Sequence, residues 1–125
     1  MSKPWVHARS SVRKFGGIPE NYIDIHNWFD ETKAFIPDNR HRFLRHHSEG
    51  IFLCESIFGT FITNSDGKQV SVRSIGEQHC MEDYGGFIPS VSDFANELNY
   101  QPWMHGKGLP PSMDKMKKEK QLQND

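Results

Sequence analysis

What this chain is short of closes several classes of function before any motif is weighed. It has only two cysteines, Cys54 and Cys80. Two are too few for a disulfide framework or for a zinc site built from paired Cys-x-x-Cys. No apolar run comes near the ~18 residues of a membrane span, and the first residues do not read as a signal peptide. A reducing cytoplasm is therefore the expected setting, with no membrane partner. No acid precedes Glu20, and no Lys or Arg falls between Ser74 and Gly106. Fifteen Lys and Arg nonetheless balance sixteen Asp and Glu to a net charge of −1, which removes any global pull toward nucleic acid. The catalytic signatures His-Glu-x-x-His, the P-loop and Gly-x-Ser-x-Gly are all missing.

What is present starts with size. A chain of 125 residues makes one domain that buries roughly two-thirds of its unfolded surface. Only 35% of it is hydrophobic, but nine Phe, three Trp and three Tyr supply large core pieces. Residues 1–19 read as an irregular basic arm pinned through Trp5, Val6 and Phe15, because Gly16, Gly17 and Pro19 break helices. A helix follows from Pro19, with Tyr22, Ile25, His26, Phe29, Thr32 and Ile36 at helical spacing, and Pro37 ends it. The next helix is expected over Arg40–Phe58, with Phe43, Leu44, His47, Ile51, Cys54 and Phe58 as its inner stripe. Gly50 inside it implies close packing or a ligand near the backbone.

Thr60–Thr63 and Gln69–Arg73, joined by Asn64-Ser65-Asp66-Gly67-Lys68, predict a β-hairpin. Short helices are expected over 74–84 and 90–99, and Trp103 is expected to pack back on the body. The fold class is thus mostly α (α+β), a compact domain over 1–106 of about four helices with one small hairpin. A mobile Lys-rich tail, 107–125, completes the chain.

The most informative stretch is Arg40-His41-Arg42-Phe43-Leu44-Arg45-His46-His47-Ser48-Glu49-Gly50. Three Arg and three His within eight positions are residue types that bind metals, phosphates and carboxylates. Its basic segment is expected to dock on the acidic region of Glu77, Glu82, Asp83, Asp93 and Glu97. Seven histidines are present in all; His7 and His105 lie in flanking segments and receive no role. Helical phase turns His26 and His47 inward and leaves His46 nearer the polar side. His79 shares a helix face with Asp83 at i,i+4. A divalent metal (Zn, Mn or Fe) held by His47, His79 and Asp83, with His26 or His41 as further ligands, would leave a position for a water nucleophile. Arg45 or Arg40 would clamp a phosphate-containing substrate, and Glu49 would act as general base; Glu55 is placed more poorly. Helix-interior cysteines are expected to be inert.

Two other readings use the same residues. The Lys3–Lys14 arm and Arg40–Arg45, interleaved with Trp5, Phe15 and Phe43, could contact a nucleic acid. The basic Arg40–His47 face and the acidic 77–97 region could bind and inhibit or modulate a host protein.

The runs at 11–17, 25–30, 40–50, 63–67, 75–83, 88–94 and 101–104 resemble a small family of uncharacterised bacterial and phage proteins. This resemblance covers about residues 4–104. It implies a possible phage origin, a bacterial host cytoplasm, and a host-takeover or defence-countering role. The helical layout with His26, His46-His47 and His79 or Asp83 is also similar to the HD-domain metal-dependent phosphohydrolases, which implies a metal and a nucleotide substrate. That family places a His-Asp pair on one helix; here His46-His47 is followed by Ser48.

Overall fold

The computed structural model describes residues 3–106. Among them are six α-helices and one two-stranded antiparallel hairpin, in keeping with the expected class. None of the helices is long and apolar enough to cross a membrane. The 107–125 tail lies outside the described residues.

The expected irregular arm is a helix, α1 (Pro4–Phe15). Pro4 starts it at a position where its missing N–H costs nothing, and Arg13 and Lys14 complement the dipole at its end. It was hidden because its polarity is inverted. Its buried residues are His7, Ala8 and Ser11, while Trp5 and Val6, expected to be pins, are 44% and 49% exposed. A 3₁₀ turn (Pro19–Asn21) then leads into α2 (Ile23–Asp30), which buries Ile25, His26, Trp28, Phe29 and Asp30.

The single helix expected over Arg40–Phe58 is broken in two. A 3₁₀ turn (Asn39–His41) and the one-turn α3 (Arg42–Arg45) precede α4 (Ser48–Phe58). Between them His46 (φ −85°, ψ 64°) and His47 (φ −159°, ψ 172°) leave helical geometry. The cause is local. The His47 ring turns back as an N-cap, its Nδ1 accepting from the Gly50 N–H at 2.9 Å. Gly50 packs close against the backbone of Arg45, the last residue of α3. A Cβ there would overlap the Arg45 carbonyl, whose carbon would lie 2.6 Å away.

The hairpin pairs β1 (Phe61–Thr63) with β2 (Gln69–Ser71), Ile62 opposite Val70. Asn64 ties it to the body: its Oδ1 accepts from the Asp66 and Lys68 N–H groups, and its Nδ2 donates to Phe15 O and Tyr22 Oη. Helix α5 (Val72–Tyr84) begins two residues earlier than expected, capped by Ser71, and ends at Gly85 in left-handed geometry. A five-residue α6 (Val91–Ala95) opens with Ser90 and Asp93 in a capping box. Trp103 is 46% exposed.

The core gathers Ala8, Tyr22, Ile25, Phe29, Ile51, Cys54, Val72, Ile75 and Cys80. Burial pushes the Cys54 thiol up to about 12 and raises Cys80 as well. Neither thiol should therefore react within minutes with a chromogenic disulfide reagent at pH 8, and both should react in guanidinium. A fast-reacting thiol in the native protein would contradict this burial.

Candidate metal centre

Six of the seven histidines are buried: His7, His26, His41, His46, His47 and His79. Three elements bring a subset of them together with two carboxylates. Helix α5 presents His79 and Asp83 on one face, one turn apart. Asp30 is the last residue of α2, and His46 turns inward because the helix breaks after Arg45. One ligand atom from each of Asp30, His46, His79 and Asp83 lies within 4.8 Å of every other.

The closer distances are the telling ones. His46 Nε2 is 3.1 Å from His79 Nε2, 3.2 Å from Asp83 Oδ2 and 3.3 Å from Asp30 Oδ1. His79 Nε2 is 3.3 Å from Asp83 Oδ2 and 3.5 Å from Asp30 Oδ1. Five of the six edges are thus 3.1–3.5 Å, and the sixth, Asp30 to Asp83, is within 4.8 Å. A point equidistant from the corners of a regular tetrahedron with edges of about 3.3 Å lies about 2.0 Å from each, the length of a Zn–N or Zn–O bond.

Electrostatics favours the same conclusion. Both Asp30 oxygens and Asp83 Oδ2 are buried without a hydrogen-bond partner. Two imidazole Nε2 atoms facing at 3.1 Å cannot both carry protons. Lys33 Nζ stands 3.7 Å from Asp30 Oδ2. A divalent cation would satisfy the remaining oxygen lone pairs and both Nε2 atoms, leaving the His46 proton on a buried Nδ1 that meets no partner among the described residues. Burial alone would raise the Asp30 and Asp83 carboxyls. His46, 3.3 Å from Asp30 and 3.2 Å from Asp83, leads the neighbours that outweigh it and hold both well below the usual range.

A second layer orients the ligands. His7 Nε2 lies 3.1 Å from Asp83 Oδ1 and its Nδ1 lies 2.8 Å from Glu82 Oε1. Burial pushes His7 down, but the two carboxylates more than compensate and raise it. Arg42 adds an Nη1 donor to Asp83 O at 3.5 Å and places Nη2 3.7 Å from Asp83 Oδ1. The expected docking of the basic segment on the acidic region thus takes the form of Arg42 and His46 on Asp83.

The residues proposed from sequence separate clearly. His79 and Asp83 are in the cluster. His26 stands behind it, its Nδ1 2.9 Å from His79 Nδ1; burial first, then His79 and His7, hold it down at about 2. His41 is buried against Thr32 Oγ1 at 2.8 Å, its ring edge-on to His46, and burial lowers it to about 4. His47 is occupied as the cap of α4, its Nε2 donating to Phe43 O at 2.9 Å. Glu49 is half exposed, and its Oε1 accepts from the Val91 N–H. Arg40 is 81% exposed and paired with Asp38. Arg45 stacks on Trp28, donates to Trp28 O and lies 3.6 Å from Glu31.

Asp30 and His46 were not expected as ligands. Asp30 sits four residues after His26, one turn along the same helix, and that spacing could have pointed to it. One unbroken helix would turn His46 toward the polar side; the break at His46-His47 turns it inward.

No curated protein and no solved structure matches this chain. One family model does, over residues 2–104, nearly the same span as the described structure. By that match the chain belongs to the family described as Domain of unknown function (DUF6915).

Proposed function

We propose that this protein carries a single divalent ion on Asp30, His46, His79 and Asp83 and hydrolyses a phosphate-containing substrate. The observation behind the proposal is the convergence of four buried donor atoms within 4.8 Å of one another, five of the six pairs at 3.1–3.5 Å. An all nitrogen-and-oxygen donor set without thiolate suits zinc, manganese or iron. It is also the kind of set found in hydrolytic sites, where closed structural zinc sites favour cysteine. An ion there supplies Lewis acidity and a bound water that ionises near neutral pH.

The chain's own residues supply the rest. Asp30 is the ligand best placed to yield a position to water. Its side chain is the most exposed of the four, at 6%, and the helix gives way to a 3₁₀ turn immediately after it. Arg42 and Arg45 put guanidinium groups on the two flanks, beside Asp83 and beside the last turn of α2. Guanidinium groups of this kind pair with phosphate oxygens.

Protein loaded in turn with zinc, manganese and iron should release product from p-nitrophenyl phosphate, its diester or a nucleotide panel. That release should fall at least ~100-fold in His79→Ala and Asp83→Ala, which remove donors proposed to stay on the ion. Metal-loaded protein that turns over none of these would end the hydrolytic reading and leave a structural ion.

A further inference from the structure

Behind the ligand His79 runs a line of buried hydrogen bonds that the coordination itself does not require. His79 Nδ1 faces His26 Nδ1 at 2.9 Å. On the far side of the ring, His26 Nε2 lies 2.8 Å from Ser11 Oγ. Ser11 Oγ donates to Gln78 Oε1 at 2.6 Å. The Gln78 amide then donates from Nε2 to His7 O and to Glu82 Oε1, both at 2.9 Å. Ser11, His26 and His79 are each 0% exposed and Gln78 is 3% exposed, so the line is shielded from solvent.

The direction of the line follows from its far end. Glu82 Oε1 and His7 O are acceptors only, so Gln78 must turn its NH₂ toward them and its Oε1 toward Ser11. The single Ser11 proton is then committed to the acceptors on that side, Gln78 Oε1 at 2.6 Å and His7 O at 3.1 Å, and Ser11 Oγ has only lone pairs left for His26. His26 must carry its proton on Nε2 and offer a lone pair at Nδ1. That lone pair requires the His79 proton on Nδ1, which leaves Nε2 of His79 bare and facing Asp30, His46 and Asp83. A backbone carbonyl on α1 thereby decides which nitrogen of a ring on α5 is free.

We propose that Ser11, acting through His26, is a positioning residue for the metal: it fixes His79 in the tautomer whose Nε2 lone pair points into the centre. The proposal rests on the metal reading above. It gives the inverted polarity of α1 a purpose, since the buried Ser11 and the His7 carbonyl are what that helix brings to the site.

Two measurements test it. Long-range ¹H–¹⁵N NMR of the metal-free wild-type protein should show His79 protonated at Nδ1 and bare at Nε2. A proton on Nε2 overturns the proposal, whatever any variant does. Zinc affinity is then measured by competition with a chromophoric chelator. Ser11→Ala should bind roughly 10- to 100-fold more weakly, the usual cost of losing a partner behind a metal-ligating histidine. His26→Asn, which keeps an acceptor oxygen near the Nδ1 position, should retain most of the affinity that His26→Leu loses. Equal affinity in wild type, Ser11→Ala and both His26 variants overturns the proposal. Should Ser11→Ala not fold, the His26 pair and the wild-type spectrum decide. Wild type that binds no zinc, manganese or iron would instead defeat the proposed function, and the tautomer would then be a property of the core alone.

Discussion

Protein purified without chelator should carry one divalent ion per chain by elemental mass spectrometry, and His46→Ala, His79→Ala and Asp83→Ala should carry none. His47→Ala should keep the ion, because His47 caps α4 and gives no atom to the centre. This contrast between neighbouring histidines is sharp, since sequence spacing alone favours His47. Removing the ion should also cost stability. Free metal at a thousand times its Kd adds about 4 kcal/mol to a fold that binds it only when native. For a domain of this size that corresponds to a melting temperature lower by at least ~10 °C after chelation. Metal-free protein whose melting point zinc, manganese and iron all leave unmoved would defeat the metal assignment. The four residues would then be a hydrogen-bonded core.

Gly50→Ala should be the most damaging exchange of a single hydrogen for a methyl group in this protein. The added Cβ would overlap the Arg45 carbonyl group, with the Arg45 Cα 2.9 Å away. Backbone cannot step aside as a flexible side chain can, so the turn at His46-His47 must open. Forced overpacking of this kind costs about 3 kcal/mol. Opening the turn also releases the His47 cap, for about 1 kcal/mol more. Urea unfolding should show the loss as a lower midpoint at unchanged slope. The same change at Gly67 is the control. Its φ of 79° strains any side chain, but nothing lies within 4 Å of the new methyl group, so the cost there should stay near 1 kcal/mol. A Gly50→Ala protein no less stable than Gly67→Ala would disprove the account of the break. If Gly50→Ala folds, it should bind metal more weakly as well, because His46 enters the site through that turn.

Turn chemistry and apolar spacing made much of the architecture legible in sequence. The hairpin was visible from Asn64-Ser65-Asp66-Gly67, whose side chains and glycine do what such residues do in turns. The α5 helix and its Gly85 stop were equally visible, as was the pairing of His79 with Asp83 on one face. Two things escaped, for different reasons. Helix α1 escaped because periodicity searches for apolar faces, and the buried face of α1 is His7, Ala8 and Ser11. It is buried against polar groups on α2 and α5, which have no counterpart in a local pattern. The break at His46-His47 escaped because nothing in Arg40–Phe58 forbids a continuous helix. A histidine side chain acting as an N-cap, and a glycine accommodating a carbonyl five residues back, are tertiary solutions to a local choice. Correct helical phase applied to that unbroken helix selected His47 where the folded chain uses His46. Asp30 escaped because a carboxylate at a helix end reads as a solvent-facing residue, and its burial is set by contacts with His46 and His79 from distant segments.

The four candidate ligands lie far apart along the chain: position 30, position 46, then 79 and 83 together. An ion that joins them is a cross-link closing two long loops, one of which contains α4 and the whole hairpin. Closing loops of that length removes several kcal/mol of chain entropy from any state in which the ion stays bound. His79 and Asp83, a single turn apart, can form half of the clasp as soon as α5 exists, well before the distant segments arrive. Folding in the presence of metal should therefore be organised from the second half of the chain backward, with α2 and the His46 turn recruited to an ion already in place.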